Sequence, residues 1–401
     1  MKTVAIIGTL DSKGEEFEFV KNVIEDLGIK TLMIHSGVFE PTVKADISNT
    51  EVAAAAGEDM KEIAKKKDRA LATQVLSKGM EKLLPDLYSQ GKFDGVISFG
   101  GSGGTALATA GMRALPMGVP KVMVSTMAGG DVSAYVGSSD IFMYPSIVDV
   151  AGINSISQRI FINGAHAIAG LVQFKTDVKK SDKPLIAATM FGVTTPCVDF
   201  ARDYLEKCGF EVITFHATGT GGKAMEKLVE SGYFKGVLDL TTTEWCDELF
   251  GGVLNAGQHR LEAAGKSGIP QVVSVGAVDM VNFGPIDTVP SKYANRNLYK
   301  HNPMVTLMRT TKDENRLIGE KIAEKLNASE SPTILILPLK GVSMLDDEGQ
   351  AFYGIEEDKV LFDTLRELVD KSKVEIVEME NNINDQEFAE TAAQKLIDLM
   401  K

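Results

Sequence analysis

Apolar positions in this chain fall into two periods that alternate from end to end. Val4-Ala5-Ile6-Ile7 is a continuous apolar run, the length of a buried strand, and it stops at Gly8-Thr9. Phe17, Val20, Val23, Ile24 and Leu27 then recur at helical spacing and end at Gly28. Strand runs return at 31–34, 95–99, 121–125 and 140–144, with a long helical section at roughly 49–88. The stretch 151–174 predicts one helix, apolar nearly all round and therefore buried.

Residues 175–184 are polar and end in Pro184, which makes them the expected linker. The alternation then restarts, with strands at 185–190, 211–215, 236–240, 305–308, 333–337 and 373–378. Helices are predicted between them at 197–207, 224–229, 313–325, 357–369 and 385–400. From 282 to 303 no period holds, and that section is expected to be irregular and functional or mobile.

Strands alternating with helices give parallel sheets with helices on both faces, so the fold class is α/β. The second half also echoes the first. Gly28 and Gly209, like His35 and His216, stand 181 residues apart, and Phe93-Asp94-Gly95-Val96 matches Phe234-Lys235-Gly236-Val237. Two related domains, 1–178 and 179–401, are the economical reading, the first carrying an inserted helical section.

The net charge of −13 argues against a nucleic-acid surface, and Lys65-Lys66-Lys67 reads as a solvated helix face. No run approaches a membrane span, and the three cysteines form no metal spacing, which fits a reduced, cytoplasmic chain. A homo-oligomer is compatible with this composition, although no helix shows an exposed apolar stripe in the sequence.

Candidate chemistry gathers where predicted strands end, the place where such folds bind ligands. Gly100-Gly101-Ser102-Gly103-Gly104-Thr105 joins a strand to a helix without the P-loop lysine or the GxGxxG spacing. Its glycines suit a backbone cradle for phosphate or carboxylate. Thr9, Asp11, Ser12, Lys13 and Gly14 offer hydroxyls, a carboxylate and an ammonium for a phosphate and its Mg²⁺, with Asp11 as metal ligand. Helix capping by Asp11 or Ser12 is the competing reading. Gly219, Gly221 and Gly222 with Lys223 form a second glycine loop, equally readable as an anion site or a solvated helix start. Thr241-Thr242-Thr243-Glu244 beside Trp245 suits a polar ligand or a capped core helix, and Asp131, Glu244 and His301 are the acid/base candidates.

GTLDSKGEE (8–16), the run from Gly100 to Lys121, the run from Val124 to Ile141, TMFGVTTPCV (189–198), HATGTGGKAMEKL (216–228), LDLTTTEW (238–245), VNFGPIDTVP (281–290) and HNPMVTLMRTT (301–311) resemble one family. It is the uncharacterised family of bacteria and plants typified by the N-terminal region of the tomato mosaic virus resistance protein. The resemblance implies two Rossmann-like domains and binding of ATP with Mg²⁺, with the glycine loops as nucleotide contacts. The expected function is an ATP-binding enzyme acting on a small polar or acidic metabolite in an inter-domain cleft. The alternatives are a non-catalytic, ATP-dependent protein-binding module and a sugar-phosphate or carboxylate isomerase-like protein.

Overall fold

A computed structural model of the chain describes residues 1–174 and 182–401, so most of the predicted linker, 175–181, lies outside the described residues. The chain divides into two compact units, Met1–Val178 and Lys179–Lys401.

The N-terminal unit runs β1 (Thr3–Gly8), α1 (Gly14–Asp26), β2 (Lys30–His35), α2 (Asn49–Ala55), α3 (Met60–Lys65), α4 (Arg69–Ser89), β3 (Gly95–Gly100), α5 (Ser102–Ala114), β4 (Lys121–Ser125), α6 (Ser133–Val136), β5 (Phe142–Pro145) and α7 (Ser155–Gln173). The sheet is wholly parallel in the order β2-β1-β3-β4-β5. Both faces of β1 are buried: Val4 and Ile6 pack with Phe17 of α1 and Phe161 of α7, whereas Ala5 and Ile7 pack with Met80 of α4 and Leu107 of α5. A two-faced burial of this kind is why β1 reads as an unbroken apolar run.

The long helical section is three helices, because Ser48, Asp59 and Asp68 each accept hydrogen bonds from first-turn amides and start a new one. The helix predicted at 151–174 starts at Ser155 behind the Asn154 cap, and one side faces solvent: Ile156 is 51% exposed and Leu171 45%. Apolar content alone did not reveal which side the sheet covers.

The C-terminal unit comprises β6 (Leu185–Met190), α8 (Thr195–Lys207), β7 (Glu211–His216), α9 (Thr220–Glu230), β8 (Gly236–Thr241), α10 (Glu244–Phe250), α11 (Ala263–Lys266), β9 (Gln271–Gly276), β10 (Met280–Phe283), β11 (Leu298–Asn302), β12 (Val305–Arg309), α12 (Lys312–Asn327), β13 (Thr333–Pro338), α13 (Ile355–Leu368), β14 (Val374–Met379) and α14 (Gln386–Leu399). Its six-stranded parallel sheet has the order β14-β13-β9-β8-β6-β7. Counted from its own first strand, that is 2-1-3-4-5-6, the N-terminal order with one strand added. The sequence repeat is therefore a repeat of topology, and both units are Rossmann-like. Between β9 and β13 the unit inserts an antiparallel sheet, β10-β12-β11. The section expected to be irregular thus contains two strands. β11 escaped notice because it is a solvent-exposed edge with no buried face to imprint alternation.

Candidate functional site

In the order 2-1-3-4-5 the chain reverses direction across the sheet between the first and third strands, and ligands bind beyond the carboxyl ends there. In the N-terminal unit this point lies between β1 and β3. The parallel register pairs Ile7 with Ser98, so the turn after Gly8 stands beside the turn after Gly100. Gly101 takes the N-cap position of α5 in extended conformation, and no side chain caps the helix. The Ser102, Gly103 and Gly104 amides lie in the first turn, where no intrahelical carbonyl can reach them. Inserted α4 adds a cation: Nη2 of its first residue, Arg69, is 3.7 Å from where a Cβ on Gly103 would be. From β4, the Thr126 hydroxyl comes within 3.6 Å of a Cβ placed on Gly101. Thr105 is buried and shares a 2.6 Å hydrogen bond with Ser125, tying α5 to β4.

The β1 turn is braced by the segment after β2. His35, fully buried, accepts the Leu10 and Gly37 amides on Nδ1 and donates from Nε2 to the Phe39 carbonyl at 2.8 Å. Asp11 accepts the Phe39 amide at 3.0 Å, and Lys13 donates to the Val150 carbonyl. Ser12 donates to Thr9, and both hydroxyls lie at the surface of the turn. Gly14 packs its Cα face against Thr42 and leaves no room for a side chain. Asp11 is thus half-engaged and Lys13 is engaged, while Thr9 and Ser12 face outward.

The C-terminal unit treats its glycine loop differently. Gly221 and Gly222 belong to the first turn of α9, and Gly219 is its N-cap in positive φ. The anion in that turn is the chain's own: Glu244 accepts the Gly219 amide at 2.6 Å and the Gly222 amide at 3.2 Å. A Cβ on Gly222 would meet the Glu244 carboxylate at 2.3 Å, so glycine is required there. The other Glu244 oxygen accepts Nε of Arg260 at 2.6 Å. Arg260, 1% exposed, also binds both oxygens of Asp239 and one of Glu226. Burial alone would lower it, but Asp239, Glu244 and Glu226 hold the Arg260 guanidinium well above its ordinary range. Burial pushes the Glu226 carboxyl up against the pull of Arg260.

Sequence models for the N-terminal and C-terminal domains of the uncharacterised protein family UPF0261 match residues 2–177 and 183–400. The chain belongs to the UPF0261 family. A UPF0261 protein of Clostridium tetani is 57% identical over 100% of this chain and 99% of its own length. One from Rhizobium meliloti is 45% identical over 100% and 99%. The ToMV resistance protein Tm-1 of Solanum lycopersicum is 42% identical over 337 residues, 82% of this chain and 45% of the tomato protein. Among solved structures, the UDP-GlcNAc 2-epimerase of Methanocaldococcus jannaschii aligns over 68% of this chain and 83% of its own, at 10% identity and a TM-score of 0.25. That likeness carries no argument about activity.

The other predicted residues of this UPF0261 chain stand on different elements. Asp131 is exposed after β4 and accepts the Ser133 amide at 2.9 Å, which draws its carboxyl below the usual range. His301 lies on exposed β11 of the C-terminal unit. Lys223 is exposed on α9 alongside Gly257. Thr241, Thr242 and Thr243 are fully buried, with Thr242 bonded to the Ser274 carbonyl, so they line no open site. Cys246 is buried against the Val278 carbonyl, and burial pushes its thiol well up. Among the described residues no group of three or more His, Cys, Asp or Glu could hold a metal, and no helix is long and apolar enough to cross a membrane.

Arg69 and Arg260 were not found from sequence. Arg69 belongs to an inserted helix whose approach to α5 is a tertiary fact, and Arg260 sits in a stretch with no period.

Proposed function

We propose that this protein binds ATP with Mg²⁺ through its N-terminal unit and uses it, in the cytoplasm, on a small polar or acidic metabolite. One observation carries the reading: α5 starts, uncapped, at the strand-order reversal of its sheet, with Arg69 beside it. A helix N-terminus there favours phosphate through free amides and a partial positive charge. Ser102, Gly103, Gly104 and Arg69 would take the phosphates, and the Thr9 and Ser12 hydroxyls would face them from the β1 turn. A lone carboxylate fits Mg²⁺ better than a dedicated metal cage, since Mg²⁺ with nucleotides leans on phosphate oxygens and water. Asp11 would supply that carboxylate, and the ion would neutralise phosphate charge.

The test exploits the vacant cap. Gly101 is extended, and a Cβ there would make only ordinary contact, so Gly101→Asp should fold normally and cap α5 with its own carboxylate. Binding of ATP·Mg²⁺ by calorimetry should then fall at least about tenfold, which is only ~1.4 kcal/mol. Unchanged affinity in the variant would remove α5 from the site; no affinity in the native chain would end the nucleotide reading.

A second reading, ATP-dependent capture of a protein partner without chemistry, is favoured by a separate observation. Of the acid/base candidates, Glu244 is paired with buried Arg260, Asp131 caps a turn, and His301 lies on an exposed strand. ADP release with a pool of small carboxylates and sugar acids supports the enzyme; ATP retained intact supports the binder.

A further inference from the structure

The strand-order reversal of the C-terminal unit lies between β6 and β8, and it is covered. Residues 339–354, which follow β13, cross the ends of the neighbouring strands. The Ala277 amide, just past β9, donates to Val342 O at 2.8 Å, and the Met344 amide donates to Val193 O, just past β6, at 3.0 Å. Strand β8 lies between those two strands in the sheet, so the segment bridges its end. Phe352, 1% exposed, is packed into an apolar cluster with Val193, Ala277, Met280 and Leu307. Ala277, without the freedom of glycine, sits at φ 57° beneath the crossing.

Four charged groups hold this segment down. Arg309, at the end of β12, donates from Nε to the Phe352 carbonyl at 2.7 Å. Its Nη2 serves Asp346 of the segment at 3.0 Å and Asp358 of α13 at 2.9 Å. Asp346 also accepts the Val342 and Gly354 amides, closing the segment on itself. Asp279, from the turn between β9 and β10, accepts the Ser343 hydroxyl with one oxygen, while its other oxygen is buried without a hydrogen bond. Further out stand Glu357, near Gly354, and the Arg296–Glu314 pair, whose Arg296 donates to the Arg309 carbonyl at 2.6 Å. Three buried carboxylates thus face one guanidinium, an imbalance that full ionisation in a low-dielectric site would make costly.

We propose that residues 339–354 are a strap closed over the strand-end crevice of the C-terminal unit, and that the Arg309–Asp279–Asp346–Asp358 cluster is its pH-sensitive latch. Burial, with Asp358 and Asp279 close by, pushes the Asp346 carboxyl up to about 10, and burial pushes Asp279 up to about 6 against the pull of Arg309. The closed strap therefore keeps a proton on Asp346 at neutral pH that the open, hydrated strap releases. A carboxyl raised in the closed state stabilises closure fully below its ordinary value of 3.8, and that contribution fades as pH rises toward about 10. Opening at high pH would uncover Phe191, Val193 and Ala277, a mainly apolar floor. This inference is independent of the nucleotide reading of the N-terminal unit.

Amide hydrogen exchange on the full chain tests it, read as protection factors with the intrinsic pH dependence divided out. One proton released on opening means protection across 339–354 should fall about tenfold per pH unit between about pH 7 and 9. Peptides from β6 and β9 should keep theirs. Asp346→Asn should flatten the slope, and Asp358→Asn, which retains an acceptor for Arg309, provides the same test if the first variant fails to fold. The proposal is overturned by a flat profile in the native chain, by a slope shared with β6 and β9, or by a native slope in a folded variant.

Discussion

Replacing Arg260 with leucine would leave Asp239, Glu244 and Glu226 buried with their shared cation gone. Breaking a buried ion cluster from one side typically costs about 3–5 kcal/mol, and Arg260→Leu should lower the stability of the C-terminal unit by that much in urea denaturation. Gly222→Ala forces a Cβ onto the Glu244 carboxylate and should cost about 1–3 kcal/mol by the same measurement. Gly192→Ala, where no atom lies within 4 Å of the new Cβ and φ is not positive, should be neutral or slightly stabilising. From the sequence, Glu244 looked catalytic because a carboxylate among threonines has the same letters whether it meets solvent or a guanidinium. What decides between them is Arg260, 16 residues further on, and no local pattern announces that contact. The strand–glycine–helix junction at Gly101 and Ser102 was legible for the opposite reason: its backbone geometry is local.

Burial on both faces made several elements legible, though not all. β1, β3 and β4, with both faces covered, appear as apolar runs, whereas β9 and β10, buried throughout, escaped the sequence reading. Polar β11 gave no such signal, and α7 gave a misleading one, because side-chain apolarity cannot say which face a sheet covers. The inserted helices α2, α3 and α4 depend on their caps, since each is a separate start. Asp68 accepts the Ala70 and Leu71 amides at 2.9 and 3.1 Å, so Asp68→Ala should cost about 1 kcal/mol. Because Asp68 sets the start of α4, the variant should also displace Arg69 and weaken ATP·Mg²⁺ binding. Restored affinity in Asp68→Ser or Asp68→Asn, which cap equally well, would separate that positioning role from a loss of charge.

At the scale of the whole chain, the repeat read from Gly28/Gly209 and His35/His216 proved to be one strand order used twice, with different furnishings. His35 braces a buried turn, whereas His216 is exposed and lies against the Phe191 ring at 5.6 Å. If the N-terminal unit holds the nucleotide, saturating ATP·Mg²⁺ should raise hydrogen-exchange protection in β1, β3 and α5 by mass action and leave β6–β9 unchanged. Protection gained first in the C-terminal unit would contradict that assignment. The carboxylate of Glu244 adds a matter of counting. Two glycine-rich turns open two helices in this chain, and a scan for such turns would tally two places for an anion. One of them is filled by a tenant that is covalently part of the protein, cannot be diluted or washed away, and competes at an effective concentration no free ligand approaches. A titration should therefore end at one equivalent of nucleotide per chain.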